Sequence, residues 1–122
     1  TLPRTDTPGA DNFNGLPTAA GFKPRPYAPQ SYDAAALMIL AMQASSSSDS
    51  TKFKTKITHV ANAPGEKIYP GELAKALKIL ASGGDVDYVG ATDVELIGPG
   101  ESAGSFQEVI IKDQKITPVS YR

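Results

Sequence analysis

Residues 34–42, AAALMILAM, form a run of nine apolar side chains without a polar one among them. A helix at the surface of a small soluble protein normally shows one apolar stripe and one polar side. We therefore expect a helix that contains this run to be covered on more than one side. The run is about half the length needed to cross a bilayer, so we predict no membrane insertion.

The composition is that of an ordinary globular domain. Of the 122 residues, 40% are apolar and 20% are charged, values close to the average for soluble proteins. The formal net charge of -1 supplies no positive field for phosphate backbones, so we predict that nucleic acid is not a partner. The chain has no cysteine, which excludes a disulfide framework, a thiolate metal site and a cysteine nucleophile.

The first 30 residues contain most of the ten prolines of the chain, and Asn14-Gly15 is a turn dipeptide. We therefore expect little regular structure in this segment. Residues 1–3, TLP, are compatible with the end of a strand.

Three successive helices are predicted after this segment. The first begins near Ser31 as N-cap, with Asp33 in the first turn, where a negative charge favours the positive end of the helix dipole. The serine-rich run at residues 45–50 is only one loop long, so we interpret it as a connection between helices and not as a linker. The second helix starts near Thr51, with Ser48 or Ser50 as its cap.

The spacing of apolar residues supports the second and third helices. In the second, Phe53, Ile57 and Val60 follow an i, i+4, i+7 pattern. The third has one apolar face and ends at Gly83, which supplies a left-handed stop. The residues on that face are Leu73, Ala76, Leu77 and Leu80.

The pattern changes to β-structure after residue 84. Segments rich in valine, isoleucine and aromatic residues follow one another, and KDQK at residues 112–115 predicts a hairpin turn. The sequence therefore predicts an α/β protein in which three helices are followed by β-strands and a C-terminal hairpin.

Two motifs invite a metal interpretation, and neither supports it. His59 is the only histidine, has no second histidine to share a metal and no serine nucleophile to serve, so we assign it to the surface or its boundary. Residues 85–90, DVDYVG, have the spacing of the start of a calcium loop, but Val89 and Leu96 stand where oxygen ligands are required. We predict a turn there and no metal site.

The glycines at positions 98, 100 and 104 suggest a phosphate loop, but no lysine follows in the required place and no helix is predicted to begin there. We interpret this segment as a loop between two strands. The carboxylates of the chain are scattered, and none are paired for acid–base work. We therefore predict no catalytic residue, no cofactor and no enzymatic activity.

The order of several segments resembles the C-terminal part of the type I periplasmic solute-binding proteins, which include the leucine/isoleucine/valine-binding proteins of ABC importers. The similar pieces are YDAA at residues 32–35, which opens the apolar helix, GGDVDY at residues 83–88 with Gly90 after a leucine-rich helix, and a final strand at residues 106–112. The resemblance covers nearly the whole chain.

In that family two α/β lobes close around a small ligand. The resemblance implies that the chain is a C-terminal fragment, with residues 1–93 in the first lobe and residues 94–122 returning across the hinge into the second. The apolar helix would then lie between a parallel sheet and its neighbours. The chain departs from the family in lacking the segments that carry most of the ligand-binding groups.

The resemblance also implies a function. The parent protein, exported by a signal peptide to the periplasm, or extracellular and lipid-anchored, would bind a branched-chain or other amino acid and deliver it to an ABC permease. The alternative is a ligand-sensing regulatory module of the same fold.

Tyr27 is the single candidate ligand-binding residue. It matches a place where the family commonly has an aromatic residue on the wall of the cleft, whereas Tyr32 is assigned to the core. Pro26 and Pro29 would hold the segment around Tyr27 extended, so that its ring faces the cleft.

As a fragment, the chain would expose part of its apolar run. The large side chains of residues 37–42 are together worth on the order of 10 kcal/mol of burial. We therefore predict that the isolated chain associates with itself.

Overall fold

The computed structural model describes residues 2–3, 5–62, 64–104 and 106–122. Four α-helices and seven short β-strands lie within these ranges, so the predicted α/β class is confirmed. The helices are α1 (Pro8–Ala19), α2 (Ala28–Ser45), α3 (Ser50–Ala61) and α4 (Leu73–Ala81). The strands are β1 (Leu2–Pro3), β2 (Glu66–Ile68), β3 (Val86–Tyr88), β4 (Leu96–Ile97), β5 (Glu101–Ser102), β6 (Phe106–Lys112) and β7 (Lys115–Tyr121).

The strands form three small sheets within the described ranges. In the largest, β6 lies between β1 and β7, and both pairings are antiparallel. β2 pairs with β3 in parallel, and β4 pairs with β5 antiparallel. The strand end predicted at residues 1–3 corresponds to β1, although residue 1 lies outside the described residues. Because β1 pairs with β6, the start of the chain is held against the C-terminal hairpin.

The core lies where α2, α3 and α4 meet the parallel strands β2 and β3. Since α4 connects these two strands, β2, α4 and β3 form a βαβ unit. The largest fully buried side chains of the core come from α2, α3 and both strands. They are Leu40, Val60, Ile68, Val86 and Tyr88.

The faces predicted for the second and third helices are confirmed. Phe53 and Val60 of α3 are buried, and Ile57 packs partly buried against the core. Gly83 follows α4 with φ +82, as expected for a left-handed stop. The predicted apolar face of α4 also contacts the core, through Leu73, Ala76, Leu77 and Leu80.

The cap of α3 is Asp49, and the prediction of Ser48 or Ser50 was wrong. The Asp49 Oδ1 accepts hydrogen bonds from the backbone N–H of Thr51 (2.9 Å) and from its hydroxyl (2.7 Å). These bonds lower the pKa of the Asp49 carboxyl from its ordinary value. A carboxylate accepts stronger hydrogen bonds than a hydroxyl does, so the aspartate takes the capping position and Ser50 becomes the first helical residue.

α2 begins earlier than predicted, with Tyr27 in place of Ser31 as its N-cap. Pro29 lies in the first turn, where its missing N–H removes no helical hydrogen bond. The Ser31 hydroxyl donates to the carbonyl oxygen of Tyr27 (3.1 Å) from within the helix. Tyr27 itself has left-handed backbone angles, with φ 65° and ψ 3°. The lead-in is therefore a turn, and the prediction that Pro26 and Pro29 hold it extended was wrong.

The apolar run of α2 is covered on one side only. Leu37 and Leu40 are buried, whereas Met38 and Ile39 are 45% and 44% exposed on the opposite side. The expectation of cover on several sides was wrong for this chain, because the parallel sheet has only two strands in the described ranges and α3 and α4 pack on the same face of α2.

α1 lies in the segment where little regular structure was expected, so that prediction was wrong. The hydroxyl oxygen of Thr7 accepts a hydrogen bond from the Ala10 N–H (3.2 Å), and Pro8 occupies the first turn. The helix is held in place by Phe13, which is buried and packs edge-on against Tyr32 with ring centroids 5.5 Å apart. Capping and packing thus outweigh the unfavourable composition.

The predictions for the last third are largely confirmed. β6 and β7 form the expected hairpin, and Asp113 and Gln114 at its turn both have positive φ, as a two-residue hairpin loop requires. Gly98 and Gly100 lie in the turn between β4 and β5, which agrees with a loop between two strands. Residues 85–90 contain strand β3 in addition to the expected turn.

Candidate functional site

A cavity of about 300 Å³ lies beside the N-terminal end of α2. This volume is at the lower end of the range of small-molecule pockets, about 300–1,000 Å³. Its wall is built by α1, by the turn before α2, by the first turn of α2, by the turn after β3 and by β6. The described lining residues are Thr5, Ala10, Asn14, Pro24, Arg25, Pro26, Tyr27, Pro29, Gln30, Ala91 and Gln107.

Tyr27, the candidate from the sequence, lies in the wall of this cavity. The residue is 59% exposed. The left-handed backbone of a bulky residue is an uncommon conformation that costs on the order of 1–3 kcal/mol. The ring is therefore held at the mouth of the cavity by a turn and not by core packing. Tyr32, in contrast, is half-buried, and its hydroxyl accepts a hydrogen bond from the Gly71 N–H (3.1 Å).

Gln30 lies in the same wall and contains the one buried side-chain oxygen or nitrogen of the described residues that has no hydrogen-bond partner, its Oε1. Burying a polar atom without a partner costs about 1–3 kcal/mol. The terminal torsion of glutamine is soft, so the amide can turn this oxygen toward a molecule in the cavity. A bound ligand with a hydrogen-bond donor would remove the cost.

Arg25 is the one charged side chain among the described residues that line the cavity. It lies on the surface at the rim, and its backbone carbonyl oxygen accepts a hydrogen bond from the Ala28 N–H (3.1 Å) at the start of α2. The dipole of this 18-residue helix also gives its N-terminal end a partial positive charge. The cavity therefore combines a cationic rim with apolar walls.

Asp33 holds one wall of the cavity in place through hydrogen bonds. It is buried on α2, and its carboxylate accepts four hydrogen bonds, one from the end of β3 and three from the turn that follows it. Oδ1 accepts from the Tyr88 hydroxyl and the Ala91 N–H, both at 2.8 Å. Oδ2 accepts from the N–H and the hydroxyl of Thr92, at 2.9 and 2.6 Å. Since Ala91 is a lining residue, this carboxylate fixes one wall of the cavity to α2.

Burial, together with the charge of the Asp33 carboxylate, raises the pKa of the Tyr88 hydroxyl far above its ordinary value. The hydroxyl therefore stays protonated near neutral pH and donates its hydrogen bond to Asp33. The sequence predicted Asp33 as a helix-dipole residue, and its role as an acceptor for the turn was missed.

Two glycines allow the turn after β3 to approach both helices. A Cβ atom on Gly90 would lie 2.5 Å from the Asp33 Oδ1, and the φ of Gly90 is +65°. A Cβ atom on Gly9 of α1 would overlap the carbonyl oxygen of Gly90. α1 is thus in backbone contact with the turn that carries Ala91, and this contact closes the cavity on the α1 side.

The other motifs of the sequence lie away from this cavity. His59 is on the surface of α3, where its Nε2 is 3.0 Å from the Oδ1 of Asp85, in keeping with a surface position. The glycines at positions 98, 100 and 104 are exposed and do not line the cavity. Among the residues that the structure describes, no group of three or more histidine, aspartate or glutamate side chains is placed to hold a metal ion.

Of these three lining residues, only Tyr27 was predicted beforehand, through the family resemblance, whereas Gln30 and Arg25 were not. One signal was available: both flank the proline-rich turn at the start of the apolar helix, and helix N-termini attract anions. The unpartnered oxygen of Gln30 depends on packing between distant segments, so sequence alone could not show it.

No family model, no curated protein and no solved structure matches this chain. Within the described ranges, no helix has both the length and the apolar character that a membrane crossing requires.

Proposed function

We propose that this chain is the C-terminal portion of an exported solute-binding protein that supplies a small molecule to an ABC permease. The observation that carries the proposal is the cavity beside α2, whose volume suits a small solute and whose lining residues include a tyrosine, an arginine and a glutamine with an unpartnered acceptor. The resemblance of the ordered segments to type I periplasmic solute-binding proteins supports the same function. The parent protein would be periplasmic, or extracellular and lipid-anchored.

The mechanism in this proposal is binding and not catalysis. In the proposed two-lobed fold, residues 1–93 belong to the first lobe and residues 94–122 to the hinge return and the second lobe. A ligand that contacts both lobes favours the closed state by as much as its affinities for the two states differ. The cavity has lining residues from both segments, Ala91 and Gln107. The affinity of a molecule bound there would therefore depend on how the two segments are placed relative to each other.

The test is a calorimetric titration of the chain with the common amino acids and with their hydroxy and N-acylated analogues. We expect saturable binding of at least one apolar member of the panel. Tyr27→Ala should weaken this binding, whereas Tyr69→Ala, a change at a tyrosine outside the cavity lining, should not. The absence of binding across the whole panel would count against solute transport.

A further inference from the structure

The charged groups around the cavity restrict the kind of ligand that it can bind. Arg25 is its only charged described residue, and no aspartate or glutamate belongs to the described lining. The nearby Asp33 carboxylate is already occupied by four donors. The positive end of the α2 dipole adds to the charge of Arg25. The cavity therefore favours a negative group and has no described group to neutralise a positive one.

The hydrogen-bonding character points to a neutral donor. The Oε1 of Gln30 needs an N–H or O–H group, and an uncharged donor satisfies it without bringing a second charge into an apolar site. Moving an ammonium group from water into this cavity, where no described carboxylate is free to pair with it, costs several kcal/mol. The remaining wall has three prolines, two alanines and the ring of Tyr27 beside the uncharged polar residues Thr5, Asn14 and Gln107. Because most of this wall is apolar, the rest of the ligand should be apolar as well.

From these observations, and resting on the proposed solute-binding function, we infer that the cavity takes a small apolar carboxylate whose hydrogen-bond donor is uncharged. A 2-hydroxy acid or an N-acylated amino acid has this chemistry, and a free zwitterionic amino acid does not. The carboxylate lies toward Arg25 and the first turn of α2, the donor reaches the Oε1 of Gln30, and the apolar chain lies against Tyr27.

The experiment compares four compounds with the same carbon chain: leucine, its 2-hydroxy analogue, N-acetylleucine and 4-methylpentanoate, which lacks a donor. Affinities are measured by calorimetry on the wild-type chain. We expect the hydroxy and N-acetyl compounds to bind at least roughly tenfold more tightly than either leucine or 4-methylpentanoate. Leucine binding as tightly as the hydroxy acid would overturn this inference and leave solute binding standing. If none of the four binds and the wider amino-acid panel also fails, the proposed function falls as well.

Two variants assign the contacts to residues. Gln30→Glu places a carboxylate in the wall with little change of shape, and we expect it to reverse the order so that leucine binds more tightly than the hydroxy acid. Gln43→Glu makes the same change farther along α2, outside the cavity, and should keep the wild-type order. An unchanged order in Gln30→Glu, with the fold verified by circular dichroism, contradicts the role of Gln30.

Arg25→Gln tests the anionic end at an exposed position, where the substitution cannot unfold the core. We expect all three carboxylates without an ammonium group to bind roughly 10- to 100-fold more weakly, as for the loss of a charge-assisted hydrogen bond. Lys23→Gln removes the same charge two positions away, outside the described lining, and should have little effect. Equal losses in the two variants would mean that only net charge matters, and would overturn the placement of the carboxylate.

Discussion

A single buried carboxylate joins two parts of the chain that are distant in sequence. Asp33 on α2 accepts hydrogen bonds from Tyr88, Ala91 and Thr92, and all four acceptor positions of its two oxygens are used. Such a carboxylate is stabilised by its donors, and removing any one of them leaves charge less well compensated in a buried place. The network therefore holds the wall of the cavity in position without the help of a ligand.

Tyr88→Phe tests this network by deleting one donor without changing the shape of the core. We expect the free energy of unfolding to fall by about 1.5–3 kcal/mol, the usual value for a hydrogen bond to a charged group. Urea denaturation monitored by circular dichroism measures the change. Tyr69→Phe is the matched control, since no hydrogen bond of the Tyr69 hydroxyl is found among the described residues, and it should be nearly neutral. A neutral Tyr88→Phe would contradict the importance of the network.

Among the elements, α1 depends on a close backbone contact at a glycine. Gly9 faces the backbone of Gly90 so closely that a methyl group would overlap the carbonyl oxygen. Gly15 lies on the same helix, and a Cβ atom there would meet nothing within 4 Å. The two glycines therefore differ in packing alone, because both lie in one helix and neither has a positive φ.

Gly9→Ala should displace α1 and lower stability by about 1–3 kcal/mol, as overpacking does. Gly15→Ala should raise stability by about 0.5–1 kcal/mol, because alanine is the better helix former. Thermal unfolding measures both, and ligand titration should show weaker binding only for Gly9→Ala, since α1 supplies part of the cavity wall. Equal effects of the two substitutions would contradict the close contact.

The cap of α3 makes a prediction about pH. The hydrogen bonds from Thr51 lower the pKa of Asp49 in the folded state, so the ionised cap stabilises the fold above the ordinary aspartate pKa and this contribution is lost as the pH falls through the lowered value. Asp49→Asn keeps a capping oxygen but cannot ionise. We expect the wild type to have the higher melting temperature at neutral pH and the difference to disappear in acid. Asp49→Ala, which removes the cap, should be less stable than Asp49→Asn at neutral pH. A difference independent of pH would rule out this role for the charge.

The helices also show which parts of the fold could be predicted from the sequence. α3 and α4 were predicted because their apolar spacing is regular and one face of each reaches the core. α1 was missed because six prolines and several glycines in the first 30 residues outweighed the signal of Thr7 followed by Pro8, which is typical of a helix start. The cavity could not be predicted from any of these sequence patterns. It arises where α1, the start of α2 and β6 meet, and only Tyr27 was found beforehand, through a family resemblance.

At the scale of the whole molecule, apolar side chains are exposed at several places, and two of these places offer pairs of large side chains for association. α2 exposes Met38 and Ile39, and the C-terminal hairpin exposes Ile111 and Ile116, which are 82% and 65% exposed and lie opposite each other across β6 and β7. β7 is the edge of its sheet in the described part of the chain. An unpaired edge next to exposed isoleucines is a typical template for pairing with another strand.

We therefore expect the chain to associate with itself in a concentration-dependent manner, through the hairpin edge and not mainly through α2. Backbone hydrogen bonds add to apolar burial only at the edge. Replacing Ile111 and Ile116 by threonine keeps β-propensity while removing apolar area, and should shift the mass measured by light scattering toward the monomer. The matched pair Met38→Gln and Ile39→Gln on α2 should leave association largely unchanged. If the wild type stays monomeric at high concentration, self-association is contradicted, and if only the α2 variant dissociates, the apolar run is its cause after all.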